Sequence, residues 1–330
     1  MIRWAIFVVV FLLGGMTSAN AQQDTSATSQ ELIVRLRGSA PQTLQQTLSD
    51  WRTYGSAQQS GDQASLYRGI TDARPVFTRR ISGRALASRT RIRAFTLTVA
   101  DSVALDSVQA RWAAREDVQY VQPNITYRLE SAADTLPGLP SDNVLSDSLD
   151  HLEVIRATEA WSKTIGTGVR IGVLDTGLYL DHPDLRDQLW INAAEDLNGN
   201  GRLDADDLNG VDDDGNGVID DVVGYDFVDR PGLPFEGEYT DRDPDPSADL
   251  SGGFSFHGTL VAGVVAARPR TGVLNGVYGV APGASIVPLR AFAGDGRGQT
   301  DDIAAAIVYA ADQGVDILNL SFGRDLPSPL

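Results

Sequence analysis

The sequence predicts an α/β protein: a doubly wound, mostly parallel sheet preceded by a small α+β domain. Three observations carry this. In the second half, short apolar runs such as Val169–Leu174 and Val315–Leu320 alternate with helical stretches, the pattern of parallel strands covered by helices on both faces. In the first half, strand-like alternation and helical spacing follow one another over residues 31–128, as in a small α+β sandwich. The charge also changes sign along the chain. Residues 22–128 carry a net +5 and residues 129–330 a net −23, so two oppositely charged units are expected to attract each other. A length of 330 residues suits two domains.

Taken in order, residues 1–21 read as an export signal. Arg3 gives a short positive start, Ala5–Leu13 is an unbroken apolar run, and Ala19-Asn20-Ala21 places small residues at the cleavage positions. The run is too short to span a bilayer, which takes about 20 residues. No later stretch is long and apolar enough, so no membrane partner is expected and the mature protein is placed outside the cytoplasm. Residues 22–30 form a polar, flexible leader. Strands are expected at Glu31–Gly38, Arg91–Val99 and Asp117–Tyr127, and helices at Pro41–Tyr54 and Ser102–Arg115. Residues 129–150, rich in Ser, Asp, Pro and Leu, make a linker. Within residues 151–330, the strands are Val169–Leu174, Ala284–Phe292 and Val315–Leu320. Thr259–Ala267 is a buried helix. Thr300–Gln313 is a second helix, with Thr300 as cap, Asp301 and Asp302 at the positive end of its dipole, and Gly314 as its stop.

Composition excludes several chemistries. There is no cysteine, which removes disulfides, zinc–thiolate sites, iron–sulfur clusters and thiol catalysis. A net charge of −17 argues against a nucleic-acid partner. Lys163 is the only lysine among 27 basic residues, a bias that fits a salt-adapted or GC-rich source.

In a parallel α/β sheet, function gathers at the carboxyl ends of the strands. Asp175 follows the apolar run there, in Asp175-Thr176-Gly177. His257 stands directly before an apolar helix, with Gly258 allowing close backbone approach. An aspartate that fixes an imidazole, and an imidazole that takes a proton from a nucleophile, are two thirds of a charge-relay constellation.

These residues resemble the subtilisin-like serine proteases. Ile171–Gly177 resembles that family's aspartate motif, followed by Asp181-His182-Pro183-Asp184-Leu185. His257–Gly263 resembles its histidine motif, with Leu260 where many members carry a second histidine. Gly279–Gly283 and Ile317–Gly323 match the next landmarks in order. Residues 31–128 resemble the family's inhibitory propeptide, ending in Val118–Asn124. The resemblance implies that Asp175 is the orienting carboxylate and His257 the general base. It makes Gly296, Arg297 and Gly298 the edge strand that pairs with a polypeptide substrate, and Ser321, Phe322 and Gly323 the opposite wall. An exposed strand edge recognises peptides through backbone bonds, so specificity is broad. The family's nucleophile lies in a Gly-Thr-Ser motif after the Ser-Phe-Gly landmark. None of Ser285, Ser321 and Ser328, the serines after His257, stands in such a motif, and the oxyanion asparagine is unmatched too. The chain is therefore expected to hold a subtilisin-like domain incomplete at its C-terminus, inactive by itself.

Between Asp175 and His257 lies an internal repeat. Asp196–Asp204 and Asp212–Asp220 share five of nine residues. Asp196, Asn198, Asn200, Arg202 and Asp204 occupy alternate positions of the first loop, with Asp207 at its twelfth. Asp212, Asp214, Asn216, Val218 and Asp220 occupy those of the second. Alternating oxygens around a central glycine are the geometry of a calcium loop. Asp184 also resembles a calcium carboxylate of the family. Calcium is the one cofactor expected, with no organic cofactor. The sequence thus reads as a secreted, calcium-supported serine endopeptidase precursor with an intramolecular propeptide. Its rival is a non-catalytic calcium-binding or protease-inhibiting relative.

Overall fold

A computed structural model describes residues 7–9, 30–37, 66–76, 94–129, 150–229, 242–249, 252–269 and 276–323. The expected helix at 41–54, most of the leader and most of the linker lie outside them. The elements in chain order are β1 (Phe7–Val9), β2 (Glu31–Leu36), β3 (Ile70–Pro75), β4 (Ala94–Val99), α1 (Leu105–Ala113), β5 (Val118–Pro123), β6 (Thr126–Leu129), α2 (Asp150–Val154) and α3 (Ala157–Trp161). They continue with β7 (Arg170–Asp175), β8 (Tyr225–Asp226), α4 (His257–Ala266), β9 (Ser285–Arg290), β10 (Arg297–Gln299), α5 (Thr300–Asp312), β11 (Ile317–Leu320) and β12 (Phe322–Gly323).

The first unit is a four-stranded antiparallel sheet in the order β3-β4-β2-β5. Helix α1 covers one face because Val108 and Trp112, one helical turn apart, are both fully buried. Trp112 meets Tyr67 and Phe95 edge-on, with ring centroids 5.6 and 5.5 Å away. The strand expected over 117–127 is divided. At Asn124 the chain leaves the sheet: its side chain donates to Glu31 and to Asp301, both at 2.8 Å. The backbone of Ile125 then turns to Thr300. Strand β6 continues beyond this break in a different sheet.

The second unit has a five-stranded parallel sheet in the order β1-β11-β7-β9-β8. Side chains alternate across it. Ile171, Val173 and Ile286 pack with Ala262 and Ala266 of α4. Leu174, Val287 and Leu289 pack with Ile303, Ala306 and Tyr309 of α5 on the other face. The predicted sandwich of helices around a parallel sheet is therefore present among the described residues. The run read as an export signal supplies β1, which pairs with the outer edge of β11, Phe7 opposite Ile317; a Val-rich segment suits an edge that otherwise presents unpaired backbone. One expectation is corrected. Thr300 is not the cap of α5: Gln299 holds that position without a side-chain bond, and the Thr300 hydroxyl donates to the Ile125 carbonyl instead. The first domain sets that helix end.

A third, three-stranded sheet joins the two units. Strand β6 lies between β10 and β12, antiparallel to both.

Candidate active site

Strand β7 sits inside the parallel sheet, and Asp175 is its last residue, with no exposed surface. Helix α4 begins at His257 and crosses that strand end. The approach is close because residue 258 is glycine: a Cβ there would run into the Gly177 carbonyl and the Asp175 side chain. Gly177 itself needs a φ of +86°, which glycine adopts without strain.

His257 Nδ1 lies 2.9 and 2.8 Å from the two carboxylate oxygens of Asp175. An ionised carboxylate only accepts, so Nδ1 is the protonated nitrogen and Nε2 is left to accept. The Thr176 N–H also donates to Asp175 Oδ1 at 2.7 Å. The Thr176 hydroxyl accepts from the Gly258 N–H at 3.2 Å, tying the strand end to the helix start. Burial draws the imidazole pKa down, but the hydrogen bond and charge of Asp175 outweigh it, and His257 stands above its ordinary value. The His257 side chain keeps 17% exposure, so the ring is reachable from outside. On the solvent side of the same helix Phe256, Leu260 and Val264 are exposed, an apolar row at four-residue spacing.

Arg297, Gly298 and Gln299 form β10 and pair with Arg128, Tyr127 and Thr126. Gly296 takes a φ of +79°, and its carbonyl accepts the Leu129 N–H at 3.0 Å. On the other side Phe322 and Gly323 face Leu129 and Arg128, and the Phe322 ring meets Tyr127 edge-on. Ser321 precedes this strand and takes a hydrogen bond from Asn319 at 2.8 Å. Both peptide-pairing segments anticipated from the sequence thus flank one extended segment of the same chain.

Three oxygen-rich positions were not legible beforehand. Asp301 and Asp302 were expected only to suit the dipole of α5, yet each is 1% exposed. Asp301 accepts from Arg74 at 3.0 Å, Thr96 at 2.9 Å and Asn124 at 2.8 Å, all from the first domain. Asp302 accepts from Arg242 at 2.9 Å, and Arg242 also donates to the Val76 carbonyl. Burial, then the charge of Asp301, pushes Asp302 up to about 8 against the pull of Arg242. The third is Glu195, one residue before the first aspartate loop.

In the first loop, Asp196 accepts from the backbone of Asn200 and Gly201, and Asp204 from the side chains of Asn198 and Asn200. Asp207 caps the backbone of Leu197 and Asp204, while Arg202 reaches Asp181. In the second, Asp212 accepts from Gly217, and Asp214 and Asn216 bond each other and the backbone of Asn216 and Val218. Asp220 turns away, with φ +56°, to take the N–H groups of Asn209 and Gly210. Asp184 accepts the Val277 N–H at 3.1 Å. A cleft of about 440 Å³ opens between the second loop and α5, lined by Gly217, Tyr225, Arg242 and Tyr309 among others; it includes neither Asp175 nor His257.

Residues 166–330 match the subtilase family, Peptidase S8. The minor extracellular protease Vpr of Bacillus subtilis (strain 168) is 30% identical over 220 residues, 66% of this chain and 22% of that protein. Halolysin of Haloferax mediterranei is 32% identical over 211 residues, 63% of this chain and 30% of that protein. Thermitase of Thermoactinomyces vulgaris is 29% identical over 184 residues, 56% and 48% respectively. The chain thus spans less than half the length of these relatives. The epidermin leader peptide processing serine protease (EpiP) of Staphylococcus aureus has a similar fold, with a TM-score of 0.50 at 15% identity over 89% of this chain and 50% of that one.

Proposed function

This chain belongs to the subtilase family, and from that membership we propose that it is the precursor of a secreted serine endopeptidase whose acid–base arm is Asp175 and His257. The observation that carries the reading is His257 Nδ1 within 2.9 Å of both Asp175 oxygens at the carboxyl end of a parallel strand. Asp175 holds the imidazole with its Nε2 unprotonated. That nitrogen takes the proton of a serine hydroxyl as the serine oxygen bonds the peptide carbonyl carbon, and returns it to the departing amine as the C–N bond breaks. Water then releases the acyl group by the same proton route. No serine of residues 1–330 stands in the family's Gly-Thr-Ser motif.

Residues 31–128 act as a propeptide, with Thr126–Leu129 held where a substrate strand would lie, between Gly296-Arg297-Gly298 and Ser321-Phe322-Gly323. Calcium steadies the acidic loops. Export removes residues 1–21, β1 included, so the pairing of β1 with β11 belongs to the unprocessed chain; the extracellular relative is consistent with removal, and no helix of the described residues is long and apolar enough to cross a membrane.

The test is a peptidase assay on the full-length gene product. Wild type should cleave a generic peptide. His257→Ala should lower kcat by about 10⁶-fold and Asp175→Asn by about 10⁴-fold, the latter through loss of the correct tautomer. Full activity in both variants would refute the assignment.

A further inference from the structure

We propose that the face where the first unit meets the start of α5 is a proton-linked latch: docking of residues 31–128 takes up a proton on Asp302, and the contact loosens as the pH rises. Four carboxyl groups, Glu31, Asp229, Asp301 and Asp302, share two guanidinium groups there, Arg74 and Arg242. Arg74 lies 3.3 Å from both Glu31 and Asp229 and 3.0 Å from Asp301. Arg242 lies 2.9 Å from Asp302. Fully ionised, this cluster would carry two more negative charges than positive ones. Water can offset such an excess, and burial makes it costly. Glu31 and Asp229 keep 18% and 26% side-chain exposure. Asp301 and Asp302, adjacent on the helix, are each 1% exposed. The proton therefore belongs on one of these two.

The hydrogen-bond donors decide which. Asp301 accepts from three side chains of the first unit, Arg74, Thr96 and Asn124, and it also accepts the Asp302 N–H at 3.2 Å. Asp302 accepts from one side chain, Arg242, and its other oxygen stands 3.5 Å from the Asp229 N–H, long for a hydrogen bond. A carboxylate rich in donors stays ionised, and the poorer one beside it takes the proton. The other charged groups around Asp302 agree. Burial and then the charge of Asp301 push its carboxyl up to about 8, against Arg242 and the more distant Arg74. Asp226 of β8 adds a carboxyl group from the sheet and is itself held by Arg290.

The first unit creates this burial. Its Ile33, Val76 and Ala94 are buried together and pack against Ala304 of α5, and the Val76 carbonyl accepts from Arg242 at 2.9 Å. When that unit lifts away, water reaches the first turn of α5, and Asp302 falls toward the ordinary carboxyl value of about 4 and loses its proton. Docking therefore takes up one proton between about 4 and the docked value of about 8. Across that range its equilibrium constant falls by up to about tenfold per pH unit, and the fall ends once Asp302 ionises in the docked state. The inference rests on the reading of residues 31–128 as a unit that docks on the acidic one, and it is independent of the peptidase part.

The test is amide hydrogen exchange on the full chain between pH 5.5 and 7.5, corrected for the base catalysis of exchange itself. Two bonds cross between the units and report on docking: the Thr300 N–H donates to the Ile125 carbonyl and the Leu129 N–H to the Gly296 carbonyl, both at 3.0 Å. In wild type, opening of these two amides should increase with pH by up to about tenfold per unit, while amides within β4 and β9 do not follow. Asp302→Asn mimics the protonated carboxyl and cannot titrate, so its opening should stay constant over the same range. His257 also titrates near this range, and the comparison of the two proteins removes its contribution. A wild type without pH dependence, or the same dependence in Asp302→Asn, would overturn the proposal. If Asp302→Asn does not fold, a carboxyl-carbon NMR titration of wild type decides: Asp302 should titrate near 8, and titration near the ordinary value of about 4 would overturn the proposal.

Discussion

Two opposing effects meet at His257: burial favours the neutral ring, and Asp175 favours the cation and prevails. An imidazole pKa raised on folding adds stability that is fully present below its unfolded value of about 6.5 and is lost as pH rises through the folded value. We expect an NMR titration to place His257 above 6.5. Asp175→Asn should bring it below 6.5, because only burial would remain. An unchanged titration in that variant would mean that the carboxylate does not govern the ring. Gly258→Ala tests the same contact sterically. Its methyl group would collide with the Gly177 carbonyl, and overpacking of this kind costs about 1–3 kcal/mol, to be read as a lower denaturation midpoint. Asp175 and His257 were legible because short motifs surround them. Glu195 was not, because the N–H groups it accepts belong to residues 213 and 214, 18 and 19 residues away, and local spacing carries no record of that contact.

Among the elements, β6 shows what periodicity conveys and what it misses. The run over 117–127 alternates, so a strand was foreseeable. Its division at Asn124 was not, since the cause is Glu31 on one side and Asp301 on the other, 93 and 177 residues away in sequence. The strands flanking β6 have three and two residues, too short for alternation to register. Thr300 gives the same lesson: its sequence neighbours suggest a cap, and its actual partner is Ile125. The pairing of β6 can be perturbed from β10. A Cβ at Gly298 would stand 2.8 Å from both the Ala291 carbonyl and the Phe292 ring. Gly298→Ala should therefore shift β10, and amide hydrogens of residues 126–129 should exchange faster than in wild type. Equal protection would show that β12 alone holds the strand.

For the whole molecule, the opposite charges of the two domains become a small number of buried contacts. Arg74 of the basic domain reaches Asp301 and Asp229 of the acidic one. Arg74→Ala removes a charged donor from a buried carboxylate and should lower the stability of the docked chain by about 1.5–3 kcal/mol. Thr96 and Asn124 still satisfy Asp301, which keeps the loss from being larger. A carboxyl raised to about 8, as at Asp302, holds its proton in the folded state. Its effect on stability runs the same way as that of His257: the urea midpoint should fall as pH rises from 5 through 8. A midpoint rising across that range would contradict both assignments. The charge asymmetry announced two units that meet, whereas the meeting points depend on Asp301 and Asp302 being covered, which only the fold arranges. On the proposed function, residues 1–330 hold the aspartate and histidine of a peptidase, a strand of the chain itself occupies the substrate position, and no serine among these residues stands in a Gly-Thr-Ser motif. The decisive measurement is hydrolysis of a generic fluorogenic peptide by residues 22–330 beside its His257→Ala variant. Equal rates are expected for the two, at the level of buffer alone; hydrolysis that depends on His257 would overturn this reading and point to an unrecognised nucleophile such as Ser321.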